Sequence, residues 1–291
     1  MTDTVVLANE EQRLQTHGTP VQGPAAFDGN LKRFINLTLT LAITEFRLKF
    51  YGSVLGYIWQ LMRPLLLFGV LYIVFTQFIR IGGGVPHYPI ILLTGIVLFT
   101  FLAEATSGSV ACVVDRESLV RKIRFPRLAI PLSVVTTSFF NLLLNLVVVF
   151  IFLFAGGVLP SITWLELPII LVCLLALATG ISMLLSSLYV RYRDMKPIWD
   201  VLLQTLFYGS PVLYPIESIP SESLRHLMMM NPFAVIIQQA RHALIDVSAP
   251  SAADAAGGAI YLLIPATILV MLLAVGYVVF DRRAPKIAEE L

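Results

Sequence analysis

Chemistry has few places to reside in this chain. One carboxylate, Glu104, stands inside a long apolar run. An ionisable group at that depth is by default the mark of an ion pathway. It costs on the order of 3 kcal/mol at a helix centre in a bilayer. A nearby cation such as Arg63 or a water-filled cavity would offset that cost. A proton-coupled carrier needs a relay of several such groups, and a single carboxylate is too few to lead with that reading. Asp200 is the other acid near an apolar run, placed where the first turn of a helix favours an anion.

The second place is a loop. Residues 115–131 read DRESLVRKIRFPRLAIP, with seven charges in 17 positions, whereas Asp, Glu, Lys and Arg make up 13% of the whole chain. The stretch DRESLVRKI predicts a short amphipathic helix, and Phe125 with the helix-breaking Pro126 fixes its exit. Basic residues alone would orient the chain in a membrane. Apolar Leu119, Val120 and Ile123 are not needed for that, and charge around a small apolar knob suits docking into a cleft on a soluble protein. Orientation alone and docking both stand as readings of the loop.

No reactive signature accompanies these features. GxxxxGK[ST], HExxH and GxSxG are absent, and no carboxylate cluster has metal-ligand spacing. His17, His87, His226 and His242 are scattered, and Cys112 and Cys173 have no paired spacing. The cytosolic residues fall into four short pieces, too little for an ATPase domain of ~100 residues. The chain is therefore expected to be non-catalytic, with no metal site and no cofactor of its own. Energy for any work must come from a partner or a gradient.

The elements that carry these residues follow from hydropathy. The chain has 291 residues, is 57% hydrophobic and has a mean hydropathy of +0.84. Such a composition fits an all-α integral membrane protein with six transmembrane helices, near 57–79, 88–112, 128–155, 164–190, 197–215 and 258–280. The fifth starts at Pro197 and is interrupted by Gly-Ser-Pro at 209–211. Of the 20 Lys and Arg residues, 17 fall on one side of these spans, which places both termini in the cytosol. An even number of spans agrees with that.

Outside the spans, residues 1–29 are polar and turn-rich, lack the apolar core of a signal peptide, and read as a disordered cytosolic tail. The single transmembrane domain is expected over 30–291. Residues 30–50 predict an amphipathic helix in the cytosolic interface, with Ile35, Leu39, Ala42, Ile43, Phe46 and Phe50 on one face and Arg33 and Arg47 beside it. It serves either as a membrane anchor or as an interface helix. The extracytosolic stretch 216–257 predicts a pair of half-inserted or surface helices over 221–230 and 232–245, the second begun by Asn231 and Pro232. The run Met228-Met229-Met230 offers an adaptable surface or plain packing.

Four blocks carry a resemblance. LKFYGSVLGYIWQLMRPLL at 48–66, FLAEATSGSVACVVDRESLVRKIRFPRLAIPL at 101–132, LYVRYRDMKPIWDVLLQTLFYGSPVLYP at 188–215 and MNPFAVIIQQARHAL at 230–244 resemble, in order, blocks of the permease subunits of ABC exporters for polysaccharides, O-antigen and teichoic acids. Gly108 departs from the pattern, which commonly has Arg there. The resemblance implies a homodimer paired with two copies of a separate ATPase subunit, which binds the ATP and Mg. It implies that 113–127 is the coupling loop, through Asp115, Arg116, Leu119, Arg121, Lys122, Arg124 and Phe125, aided by Arg193 and Asp194. It implies an interface helix using Arg33, Phe46 and Arg47, and gate helices between spans five and six. A passage lined by aromatic residues would draw on Phe68, Tyr72 and Phe75, which share a helix face, with Glu104 and with Phe207, Tyr208 and Tyr214. Each aromatic taken singly reads equally well as core or lipid-facing.

The expected function is the transmembrane subunit of an ATP-driven exporter that moves a polyprenyl-lipid-linked polysaccharide, O-antigen, teichoic acid or galactan, across the cytoplasmic membrane. Its partners would be the glycan substrate, the ATPase and membrane lipids, with no nucleic acid. The alternatives are a related ABC exporter of a drug or lipid, an ion-coupled secondary transporter, and a membrane scaffold.

Overall fold

The computed structural model describes residues 26, 30–50, 56–78, 85–122 and 125–286, and every regular element among them is helical. In chain order these are α1 (Leu31–Phe50), α2 (Gly56–Ile73) with a π-helical turn at Val74–Phe78, α3 (Tyr88–Val110), α4 (Cys112–Asp115) and α5 (Glu117–Lys122). Then come α6 (Ala129–Ala155), α7 (Leu167–Tyr189), α8 (Met195–Tyr208), α9 (Glu222–Met229), α10 (Pro232–Leu244), α11 (Ala252–Ala255) and α12 (Leu263–Arg283). The expected tail lies outside the described residues apart from Ala26, as do Ile123 and Arg124.

Among the described residues, five helical stretches are long and apolar enough to cross a membrane: Ile58–Phe78, Tyr88–Val110, Ala129–Ala155, Ile162–Tyr189 and Ala259–Arg283. The expected fifth span at 197–215 does not reach that length. Helix α8 has 14 residues, about 21 Å against a hydrocarbon core of about 30 Å. The chain leaves the helix at Gly209, and Ser210, Val212 and Leu213 are buried in protein instead.

Irregular backbone at membrane depth needs protein partners for its polar groups, and α3 supplies them. Tyr88 donates its hydroxyl to the Leu213 carbonyl at 2.7 Å. About two turns further along the same face, Gly95 leaves room for the Val212 carbonyl, which a Cβ there would meet at 2.9 Å. The Tyr214 hydroxyl donates to the Tyr208 carbonyl at 2.9 Å, satisfying an acceptor at the open end of α8.

Helix α3 is the centre of the fold. Ile91, Leu92, Leu93, Ile96, Leu98 and Leu102 are almost fully buried among α6, α7 and α10. Lipid tails are as apolar as leucine, so close approach and polar contacts must hold such helices together. The crossing of α7 with α12 shows the first. A Cβ on Gly180 would lie 2.9 Å from the Leu272 carbonyl carbon, and Gly276 sits against the Gly180 carbonyl.

The segment after α8 carries helices at Glu222–Met229 and Pro232–Leu244, close to the expected 221–230 and 232–245. Ser221 accepts from the Leu224 amide at 3.4 Å and caps α9. Asn231 accepts from the Phe233 amide at 3.0 Å and caps α10, with Pro232 in its first turn. Helix α10 is not a surface helix: ten of its 13 residues are buried. Phe233, Ile236, Ile237 and Ala240 join the main core. The methionine run divides, since Met229 is buried with Ile216, Ala234 and Ala255 while Met230 is exposed.

Candidate functional site

The charged loop is built on an apolar seat. Cys112 and Val113 of α4 and Val120 of α5 are buried with Phe34, Ile130, Met183, Val190 and Phe280, drawn from α1, α6, α7, α12 and the α7–α8 loop. Phe125 is partly buried against the same cluster, so it braces the loop rather than projecting from it. The outward face is left to exposed Asp115 and Ser118, with half-buried Leu119 between the two surfaces. The backbone of Arg121 and Lys122 completes α5, while Arg124 is outside the described residues. Arg193 and Asp194 are exposed in the turn before α8, with the Arg193 guanidinium 5.1 Å from the Tyr189 ring centroid.

Helix α1 lies against α6. Phe34, Thr38 and Ala42 form its buried stripe, Phe46 meets Phe140 edge-on at 5.7 Å, and Thr137 donates to the Ala42 carbonyl at 3.2 Å. Of the apolar face expected from the sequence, Ala42 is buried while Ile35, Leu39 and Ile43 are exposed. These three lie on the neighbouring face, which is free to meet lipid. Arg47 is exposed as well, and the Arg33 amide donates to the Asn30 side chain at 3.1 Å.

Two contacts tie the loop to other helices. Arg116 makes an ion pair with Glu45 of α1, which also accepts from Ser133 at 3.3 Å. Arg127, 2% exposed, donates to the Ala284 carbonyl just past the end of α12. The loop is thus joined to the first and last helices of the described chain.

The expected passage residues separate into different surroundings. Phe68 stacks on Tyr72 at 5.7 Å and meets Phe152 of α6 edge-on at 5.8 Å. Phe75 is partly buried on the core. Phe207 packs on Phe99 of α3 at 4.7 Å, while Tyr208 is largely exposed. Tyr214 is occupied in closing α8. Glu104 does not meet Arg63, which is exposed. Its two oxygens accept from Gln60 of α2 at 2.9 Å and Asn141 of α6 at 3.0 Å.

Between α8 and α12, Arg241 of α10, nearly buried, donates to Glu217 at 2.6 Å. The Ser248 hydroxyl beside Asp246 holds its carboxyl below the ordinary aspartate value, helped by the Ser248 amide, Arg241 and His87 and opposed by burial. Asp254 is lowered in the same way, by the Ser251 hydroxyl first and then the Ser251 amide. Among the described residues no group of three or more His, Cys, Asp or Glu side chains could hold a metal ion.

The sequence pattern of the family described as ABC-2 type transporter matches residues 36–245, well over half of the chain. The chain belongs to that family. Among relatives of this ABC-2 transporter chain, the O-antigen export system permease protein RfbA of Myxococcus xanthus is 27% identical over 262 residues, which are 90% of this chain and 97% of the relative. An O-antigen export system permease protein RfbA of Klebsiella pneumoniae is 30% identical over 209 residues, covering 72% of this chain and 80% of its own. The polysialic acid transport protein KpsM of Escherichia coli is 23% identical over 207 residues, covering 70% and 80%.

In this ABC-2 chain several contact residues were not singled out from the sequence. Glu45, Gln60, Asn141 and Ser133 lie on faces whose neighbours come from distant segments. Trp199 of α8, whose indole donates to Thr106 of α3 at 3.0 Å, is another. A polar residue on the inward face of a span was the available clue, and Gln60 and Asn141 both carry it.

Proposed function

We propose that this chain is the transmembrane subunit of an ATP-driven exporter of a polysaccharide carried on a polyprenyl lipid. Two copies form a passage in the cytoplasmic membrane, and two copies of a separate ATPase subunit bind the ATP and Mg and dock beneath it. In this reading the chain crosses six times, α8 and the buried turn after it together completing the fifth crossing, with both termini cytosolic. Helices α9, α10 and α11, between the fifth and sixth crossings, and their connecting turns form the outer gate region.

The observation that carries the reading is the mechanical wiring of the loop α4–α5. It presents Asp115 and Ser118 outward, with half-buried Leu119 at the margin, while its other face rests on apolar residues from four longer helices and the α7–α8 loop. Arg116 and Arg127 fasten it to α1 and to the end of α12. A push on this loop is delivered to the bundle and not absorbed by a slack connection. Closure of two ATPases on ATP would provide that push, and the family membership and the export proteins among the relatives support the assignment.

Reconstitution tests it. The chain with its ATPase subunit in liposomes should hydrolyse ATP in response to lipid-linked glycan and move the glycan. Leu119→Asp should abolish glycan-dependent hydrolysis and transport while insertion and melting stay unchanged. A chain that transports without any ATPase, or a Leu119→Asp variant with full transport, would contradict the proposal.

A further inference from the structure

Helix α2 and the turn that ends it rest on the core along one face, where Leu65, Phe68, Leu71, Tyr72 and Phe75 are partly buried. Among its described side chains only Gln60 and Pro64 are buried, one helical turn apart, and the π-helical turn that ends it has no buried residue. The hydrogen bond from Gln60 to Glu104 at 2.9 Å is therefore its strongest directional contact with α3. Glu104 is itself fixed from the opposite side. Asn141, 2% exposed, donates to the other carboxylate oxygen at 3.0 Å, and the Asn141 carbonyl accepts from Asn145 at 2.9 Å.

Pro64 stands four residues beyond Gln60, inside α2. It has no amide proton to give the Gln60 carbonyl, and its ring crowds that same carbonyl, so the helix is weakest there. The place where α2 is pinned by its side chain is the place where its backbone is broken. Beyond the break, Leu66, Leu67, Val70 and Ile73 are exposed, and the π-turn at Val74–Phe78 is a second irregularity of a kind found at functional sites.

We propose that Glu104 is a positioning residue that pins the inner end of α2, through Gln60, to the scaffold of α3 and α6, and that the outer part of α2 swings about Pro64. This rests on the exporter reading only in making α2 a wall of the passage. Glu104 then contacts no substrate and carries no proton along a pathway. It makes one end of a mobile helix stationary, so that movement of the bundle's inner end is converted into tilt of the outer end.

Spin-label distances in lipid nanodiscs test the pin, in a Cys173→Ser background and with the ATPase subunit present. The near pair is Trp59→Cys with Leu143→Cys, and the far pair is Val70→Cys with Leu143→Cys, all three being exposed positions. The near pair should give one narrow distance that ATP does not change, and the far pair should shift with ATP. Gln60→Leu should spread the near distance and abolish transport while ATP hydrolysis continues. Exchanging the partners, Gln60→Glu with Glu104→Gln, should restore the narrow near distance and transport, which a mere loss of packing would not allow. The pin is overturned if ATP moves the near pair as far as the far pair, if Gln60→Leu leaves the near pair narrow, or if the exchange restores nothing. If ATP moves neither pair, the exporter reading fails, and the pin is decided by the near pair alone: narrow in the wild type and spread by Gln60→Leu supports it, unchanged overturns it.

Discussion

Arg116, in the short loop after the second membrane helix, pairs with Glu45 of the amphipathic helix that precedes the first. The side chains are 24% and 27% exposed, so solvent screening holds the pair's contribution to stability to about 1 kcal/mol or less. Its importance in the proposed exporter is positional, since it joins α1 to the loop. Glu45→Arg should leave the melting temperature nearly unchanged and reduce transport more than ATP hydrolysis, and adding Arg116→Glu should restore transport. Recovery in the double variant is the decisive reading, as it follows from the pair and not from either side chain.

The buried turn after α8 depends on two residues of α3. Gly95→Val should push the Val212 backbone away, and overpacking of this kind costs about 1–3 kcal/mol. Tyr88→Phe removes the donor to the Leu213 carbonyl and should cost about 1–3 kcal/mol, because the acceptor stays buried. Thermal unfolding in a defined detergent measures both. The account also expects Gly276→Val to destabilise, by separating α12 from α7 at the Gly180 carbonyl.

Arg127 links the loop to the far end of the chain. Arg127→Met keeps most of the apolar stem but loses the charged donor to the Ala284 carbonyl. A hydrogen bond of this charged type is worth about 1.5–3 kcal/mol. Hydrogen exchange at residues 281–286 should accelerate markedly, with residues 91–98 unaffected. Equal exchange in the variant and the wild type would show that the end of α12 is held by something else.

Acid should loosen the outer segment in a defined direction. The folded carboxyls of Asp246 and Asp254 lie below the ordinary value, which is about 3.9. Groups shifted this way stabilise the fold above their unfolded pKa, and the contribution is lost as pH falls through the folded one. A fluorescent probe at Val247→Cys, in a Cys173→Ser background, should stay immobile down to about pH 4 and gain mobility only below it. Ser248→Ala removes the main cause of the Asp246 shift, so the onset should move to higher pH.

The membrane character and the charged loop could be read from the sequence because both are local: hydropathy over about 20 residues, and charge density over one short stretch. The caps at Ser221 and Asn231 are local too. What escaped was set by contacts between distant segments. The Gly-Ser-Pro break at 209–211 was visible, but not that Tyr88 and Gly95, more than a hundred residues earlier, would receive a non-helical turn there. The apolar stripe of α1 was legible as apolar, but not that Phe34, Thr38 and Ala42 would fit against α6 and leave the greasier face outside. Phe125 was legible as the residue that fixes the loop's exit and Phe207 as a passage or core aromatic, but not which residues each would pack against. Glu104 attracted notice as an unpaired acid, and its amide partners come from helices that hydropathy alone does not place beside it.

The central claim is that a separate ATPase moves this chain by seating on α4–α5. Cross-linking from Leu119→Cys, in a Cys173→Ser background, tests it most directly in sealed membrane vesicles holding both subunits. The account predicts a covalent adduct with the ATPase subunit, reached only from the cytosolic side, and loss of glycan-stimulated hydrolysis in proportion to the adduct. Labelling of Leu119→Cys by an impermeant reagent added to the outer surface, with no adduct to the ATPase, would contradict it.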